Sequence, residues 1–244
     1  RKSAWIYPML ALAACHMAAR KPEAPMGDTK AIDSMVAVLT DPFGVGHMGI
    51  TAENIAAQWK ITREAQDAFA VESHRRAVAA IEKGYFKEQI LPIELKTRKG
   101  VTIFDTDEHP RKDASLEGMA KLRAAFKKDG SVTAGNASGI NDGAAAVVLM
   151  EKAAAAKKGL KPMARLVSYG IAGVDPKIMG IGPVPAVQNA LKRAGLKVDD
   201  MDVIESNEAF AVQALAVSCD LKFDAKKTNP NGGAVGLGHP IGAT

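Results

Sequence analysis

The sequence predicts an α/β protein, with a layered core in its second half preceded by a smaller α+β lobe. Three observations predict it. Apolar strand-like runs alternate with helical periodicity from Ala145 onward, two long helical patterns run into a strand pair between Thr51 and Ile103, and corners of small residues and glycine sit at the ends of the apolar runs. The chain has 244 residues, 47% of them hydrophobic, enough for one large core or two modest ones.

The first helix is expected to start at Thr51 as its cap, with Glu53 near the positive end of the dipole and Ile55, Ala56 and Trp59 on the apolar face. Thr62 caps a second helix whose buried stripe is expected at Ala65, Phe69, Ala77, Ala80 and Ile81, with Gly84 as the stop. Alternation through Ile93 and Leu95, a turn at Lys99-Gly100 and alternation through Val101 and Ile103 predict a strand pair. A polar loop over residues 105–115 leads to a short helix through Leu116, Met119 and Leu122, then to a turn at Lys128-Asp129-Gly130.

Beyond it the composition changes. Residues 131–141 are small and polar, and the apolar run 145–150 has the pattern of a strand buried on both faces. A helix (152–158), a strand (164–168), a Gly- and Pro-rich loop (170–185), a helix (186–194), a strand (203–205) and a helix (211–217) complete the alternation. The boundary between the two halves falls near Asn141.

The formal charge is +5, from 32 basic and 27 acidic residues, and the basic residues are scattered, as at Lys121, Arg123, Lys226 and Lys227. Such a balance suits a phosphate-bearing small molecule. Zinc-ligand spacing, RNA-binding aromatic signatures and basic heptads are all lacking, which argues against nucleic acid as a partner. Two distant cysteines, Cys15 and Cys219, argue for a reducing compartment, the cytoplasm, and against a disulfide framework. The apolar stretch at residues 4–19 is short and broken by Pro8 and His16, so no membrane span is expected. The sequence starts at Arg1 and stops at Thr244 just after a glycine-rich stretch, and both ends read as cut.

Three constellations could carry chemistry. Ser206-Asn207-Glu208-Ala209-Phe210 stands between an apolar strand and a helix, a corner that would direct Asn207 and Glu208 into a crevice. Asn207 is there either to cap the helix or to hold a catalytic water. The stretch from Asn229 to Ala243 crowds five glycines around His239, with Pro240 in the first turn of a helix starting at His239. A helix N-terminus would bias that imidazole toward the neutral form, suited to a general base and oxyanion donor. A dinucleotide loop does not fit, because after Gly236 and Gly238 the third glycine, Gly242, is one place too late. In the third, Val132 to Ala144, the residues are small enough for a narrow ligand to run beside the backbone, or simply form a tight loop.

Five blocks, in order, resemble thiolase motifs: His47-Met48-Gly49-Ile50-Thr51-Ala52-Glu53-Asn54, Thr133-Ala134-Gly135-Asn136-Ala137-Ser138-Gly139, Gly182-Pro183-Val184-Pro185, Asn207-Glu208-Ala209-Phe210, and Asn231-Gly232-Gly233-Ala234 through Gly238-His239-Pro240-Ile241-Gly242-Ala243. The resemblance covers residues 26–244. Ketoacyl synthases share a Gly-His corner, but typically carry a second His where this chain has Asn207-Glu208-Ala209-Phe210. The resemblance implies a partial thiolase-like layered αβαβα core with an inserted α+β loop domain. Residues 1–25 form a divergent or truncated segment, 26–140 the CoA-binding loop domain, and 141–244 the first part of the C-terminal core domain.

The resemblance also implies acyl transfer between CoA thioesters through an acyl-cysteine. One cysteine takes the acyl group, a second moves the proton at the substrate α-carbon, and a His with an Asn-held water binds the thioester oxyanion. By motif, His239 activates the nucleophile and donates to the oxyanion, and Asn207 positions the water. Ser138 and Ala134 line the pantetheine tunnel, and Phe126, Met48, Met179 and Phe210 form its apolar walls. Arg111 meets the CoA nucleotide, and His47 stands beside the acyl pocket. Coenzyme A and acyl-CoA are substrates, no tightly bound cofactor is implied, and the complete enzyme is expected as a homodimer or homotetramer.

Neither cysteine has the expected neighbours, Asn-x-x-Cys-x-Ser-Gly or Cys-x-Gly-Gly-Gly-x-Gly, so Cys15 and Cys219 read as ordinary small apolar residues. The chain is accordingly expected to be an internal piece without either catalytic cysteine. A thiolase-like protein that binds acyl-CoA or lipid without chemistry is the alternative.

Overall fold

The computed structural model describes residues 5–6 and 32–243. After a short helix α1 (Ser34–Val38), helices α2 (Met48–Trp59) and α3 (Arg63–Glu82) organise the first half. Helix α2 starts three residues before Thr51, because the His47 imidazole takes the capping role and its Nδ1 accepts from Gly49 N at 3.0 Å. Thr51 is internal and donates its hydroxyl to Met48 O. Ala52, Ile55 and Ala56 then bury themselves with Val132, Val212 and Ala216, and Trp59 packs at the edge. Glu53 is also buried: its carboxylate accepts the amides of Ser131 and Val132, a different role from a solvent-exposed dipole partner.

Thr62 caps α3 by accepting from Ala65 N, and Gly84, at φ +72°, follows its end. The expected apolar stripe is replaced by a mixed one. Ala65 is exposed and Phe69 and Ile81 are half-buried, while Gln66, Asp67, Ser73 and His74 are buried with Ala70, Ala77 and Ala80. The reason is what α3 covers: loops whose amides and carboxamides need partners. Asp67, for example, accepts from Asn136 Nδ2 at 2.9 Å and from Arg63 Nε at 2.7 Å.

On the outer side of α3, Glu72 pairs with Arg75 and Arg76, and Arg76 reaches on to Thr228 O. The Arg75 guanidinium, then Arg76, hold the Glu72 carboxyl down at about 2 against an ordinary 4.5. A depressed folded-state value means stability present above pH 4.5 and lost as pH falls toward 2. Glu72→Gln should therefore flatten the acid limb of a melting-temperature profile in that window. The change should be small, because the pair is exposed to solvent.

Strands β2 (Ile93–Thr97) and β3 (Gly100–Phe104) form an antiparallel hairpin in register from Ile93↔Phe104 to Thr97↔Gly100, exposed along its length. Helix α4 (Leu116–Ala120) is capped by Ser115.

In the second half, the strands expected at 145–150 and 164–168 do not form. Val147, Val148 and Leu149 are 78–88% exposed. A strand of that kind takes its hydrogen bonds and its cover from neighbours, and among the described residues none pairs with either segment. Parallel pairing survives in two short sheets. One joins β1 (Trp5–Ile6) to β5 (Val203–Ile204), and the other joins β4 (Ile140–Asn141) to β6 (His239–Pro240). Helices α5 (Lys152–Lys157), α6 (Pro183–Ala194), α7 (Ala211–Leu221) and α8 (Ala234–Leu237) complete the set. Val187 and Leu191 of α6 pack on Ile204 of β5 and on Val217 and Leu221 of α7. Among the described residues no helix is long and apolar enough to cross a membrane.

Candidate active site

The corner after β5 sorts its residues by side. Burial alternates beyond the end of β5, as it does when neighbouring side chains point to opposite faces: Ser206 and Glu208 are buried, and Asn207 between them is half-buried. Asn207 and Glu208, expected to share one crevice, are thus separated: Asn207 turns toward His239, while Glu208, with Ser206 and Ser73, lines a cavity on the other side. Nor does Asn207 cap the following helix, whose N-cap is Phe210 with no side-chain cap bond.

The second corner comes from α8, which ends at Gly238 with φ +98°. The helix expected to begin at His239 does not form. His239 N donates to Gly139 O at 3.1 Å and to Asn141 Oδ1 at 3.0 Å, which holds His239 and Pro240 extended against β4, and a 3-10 turn (Ile241–Ala243) comes after. Pro240 has no N–H to give, and an edge position tolerates that. The glycines make room for α3 backbone and for the side chains of Glu208 and Asn141. A Cβ at Gly236 or Gly232 would lie within 2.8 Å of Ser73 O on α3, and one at Gly238 would meet Asn141.

These two corners meet. Asn207 Nδ2 lies 3.4 Å from His239 Nε2, although the residues are 32 positions apart. Burial holds the His239 imidazole below its ordinary 6.5, so desolvation, not a helix N-terminus, supplies the bias toward the neutral form.

The small-residue stretch threads between them. Ser138 N and Oγ both donate to Ala209 O at 3.0 Å, Ala211 N donates to Asn136 O, and Ala137 bridges Phe210. Its glycines abut side chains, Gly135 facing Met119 and Gly139 facing His109, and Ala134 is exposed on the turn.

Phe126 links the apolar residues. Its ring stacks on His47 at 4.8 Å and 20° and meets Phe210 edge-on at 6.1 Å. Met48, half-buried, opens α2 beside His47, whose imidazole burial also pushes down. Met179 is half-buried in the 3-10 span Pro176–Ile181, between Ile178 and Ile181, which pack on the same core as Phe126 and Phe210. Arg111 is held elsewhere: it is exposed, and its backbone N–H donates to His74 Nδ1 on α3 at 3.2 Å. Cys219 is exposed near the end of α7, and Cys15 lies outside the described residues. Among the described residues no group of three His, Cys, Asp or Glu is arranged to hold a metal ion.

The models of the thiolase N-terminal and C-terminal domains match residues 9–153 and 160–244. The chain belongs to the thiolase family. It is 63% identical over 222 residues to the beta-ketothiolase BktB of Cupriavidus necator, covering 91% of this chain and 56% of that protein. It is 56% identical over 220 residues to an acetyl-CoA acetyltransferase of Shinella zoogloeoides, again covering 56% of the relative. Among solved structures it is similar to the Bacillus anthracis acetyl-CoA acetyltransferase, with TM-score 0.84 and 52% identity over 92% of this chain and 57% of that one. Human mitochondrial 3-ketoacyl-CoA thiolase in complex with CoA superposes with TM-score 0.79 at 44% identity, over 92% of this chain and 56% of that one. The chain thus spans a little over half the length of the thiolases it matches, and its fold is the α/β fold of that family.

A second, buried cluster stands behind the Asn207–His239 pair in this thiolase chain, and motif reading alone does not find it. Ser73, Glu208 and Asn229 interlock there with the backbone of residues 233–236. Two signals in the sequence point to it: the period-two sidedness of residues 206–208, and a serine on the inner face of an otherwise alanine-rich stretch of α3.

Proposed function

We propose that the whole protein containing this chain is a thiolase-type acyltransferase, cleaving or condensing 3-oxoacyl-CoA through an acyl-cysteine. The observation that carries the reading is the 3.4 Å approach of Asn207 to His239 beside the Ser138 loop. In that reading a neutral His239 imidazole and a water held by the adjacent Asn207 carboxamide form the donor pair for a thioester oxyanion, and a pocket that only binds has no need of one. In this reading His239 also activates the nucleophilic thiol, and Asn207 holds the water that completes the donor set. Ser138 and Ala134 flank the pantetheine, Phe126, Met48, Met179 and Phe210 wall it, His47 borders the acyl pocket, and Arg111 meets the CoA nucleotide. Coenzyme A and its thioesters are the substrates, and the whole enzyme works as a cytoplasmic homodimer or homotetramer.

Sequencing the gene beyond Arg1 and Thr244, then assaying the complete product for CoA-dependent cleavage of acetoacetyl-CoA, tests this. An uninterrupted frame that supplies neither cysteine motif overturns it. A pH profile adds a second check. With its imidazole held below 6.5, His239 stays neutral as pH falls through that value. The acid limb of kcat should therefore lie below pH 6.5, and a half-maximal point above it contradicts the assignment.

A further inference from the structure

Glu208 is one residue from Asn207, yet its side chain belongs to the other corner. Only 2% exposed, its carboxylate accepts the Ser73 hydroxyl at 2.6 Å and Val235 N–H at 3.1 Å on Oε2, and the Asn229 carboxamide at 2.8 Å on Oε1. Val235 is four residues before His239. One side chain therefore grips both the strand end that carries Asn207 and the turn that carries His239.

The hydrogen-bond directions around it are fixed. Ser73 Oγ accepts from Gly233 N and Gly236 N, so its own proton goes to Glu208. Asn229 Oδ1 accepts from Ser206 N, which leaves Nδ2 to donate to Ser206 O and Glu208. With Val235 N–H as the third donor, every contact asks for an acceptor, and a carboxylate supplies acceptors only. Burial pushes the Glu208 carboxyl up, and Ser73, Asn229, Val235 and the more distant Arg76 oppose that push. The fit is also steric, since a Cβ at Gly233 would fall 2.2 Å from the Glu208 carboxyl carbon.

We propose that Glu208 is a positioning residue whose buried carboxylate, seated on Ser73 of α3, locks the Asn207 corner to the His239 turn and sets the separation of the pair. The inference rests on the acyl-transfer reading for its kinetic consequence but not for its geometry. Glu208→Gln presents an amide N–H₂ to one of the donors and so breaks at least one contact while keeping the side-chain volume.

The test uses the complete protein. Glu208→Gln should lower kcat for thiolysis about 10-fold, as expected of a small displacement of a reacting pair, with KM for the acyl-CoA changed by less than about twofold. In the same variant the His239 imidazole, followed by NMR of labelled histidine without substrate, should titrate closer to 6.5 as the loosened turn admits water. Ser73→Ala, which keeps the carboxylate but removes its hydroxyl donor and the acceptor of Gly233 N and Gly236 N, should move both readouts the same way. Where Glu208→Gln does not fold, Ser73→Ala carries the test. A folded variant with only its melting temperature lowered, and with kcat and the His239 titration unmoved, overturns the proposal. A complete wild-type protein without thiolysis defeats the acyl-transfer reading instead, and the His239 titration then decides the positioning claim alone.

Discussion

His239→Ala in the complete protein should lower kcat for thiolysis by about 10²–10³-fold, the usual cost of one oxyanion donor. The effect should appear in kcat more than in KM, because the developing negative charge, not the ground-state carbonyl, calls on the donor. Asn207→Ala should cost less, about 10-fold, since a water it no longer holds can still find the site. The double variant should lose less than the product of the two, because residues that meet at 3.4 Å act on one point. A His239→Ala enzyme with wild-type kcat, measured by disappearance of acetoacetyl-CoA in the presence of CoA, rules out the assigned role. Variants with intact circular dichroism and melting temperature are required for the comparison, because His239 N also fixes the short β4–β6 pairing; that bond is made by backbone, which alanine keeps.

The residues that meet at the site were legible in the sequence as separate corners, each marked by small residues next to one polar side chain. Their meeting was not, because it depends on β4 pairing with β6 across almost a hundred positions. Helix α3 shows a second limit. Periodicity located its span and Thr62 its start, but an apolar template cannot foresee Gln66, Asp67, Ser73 and His74 on the buried face. Asp67, Ser73 and His74 are buried because loops beneath them present N–H donors that need acceptors, while Gln66 donates to the Ser131 hydroxyl, and those demands appear only once the chain is folded. The segments at 145–150 and 164–168 fail for the opposite reason. Their apolar runs are real, but a strand is completed by neighbours, and the described residues offer it none. At Glu208 the sequence did hold a local rule, since adjacent residues continuing a strand turn their side chains to opposite sides, and burial alternates that way at 206–208.

Glu53→Ala should cost about 2–4 kcal/mol of stability, because it strands the Val132 and Ser131 donors without an acceptor, at about 1–3 kcal/mol for each buried group left unpaired. Glu53 is 7% exposed, and its oxygens accept Ser131 N at 2.9 Å, Ser131 Oγ at 3.1 Å and Val132 N at 2.8 Å. Val132 is fully buried in the core of α2 and α7, so its amide has no water to turn to when the carboxylate goes. Gln66 reaches the same Ser131 hydroxyl from α3, and Gly130 is tight against Glu53, so one carboxylate fixes the turn leading into the Ser138 loop. Glu53→Gln keeps the volume and one acceptor oxygen but sets an N–H₂ group against N–H donors, and about 1–3 kcal/mol should be lost. Urea unfolding of the complete protein reads both. A Glu53→Ala protein within about 1 kcal/mol of wild type would mean that the turn is held by its own packing and not by this carboxylate. Because that turn carries the chain from α4 toward Ser138, the same variant should also loosen the small-residue loop that Ser138 ties to Ala209, coupling a stability defect on α2 to the geometry of the acyl-transfer pair.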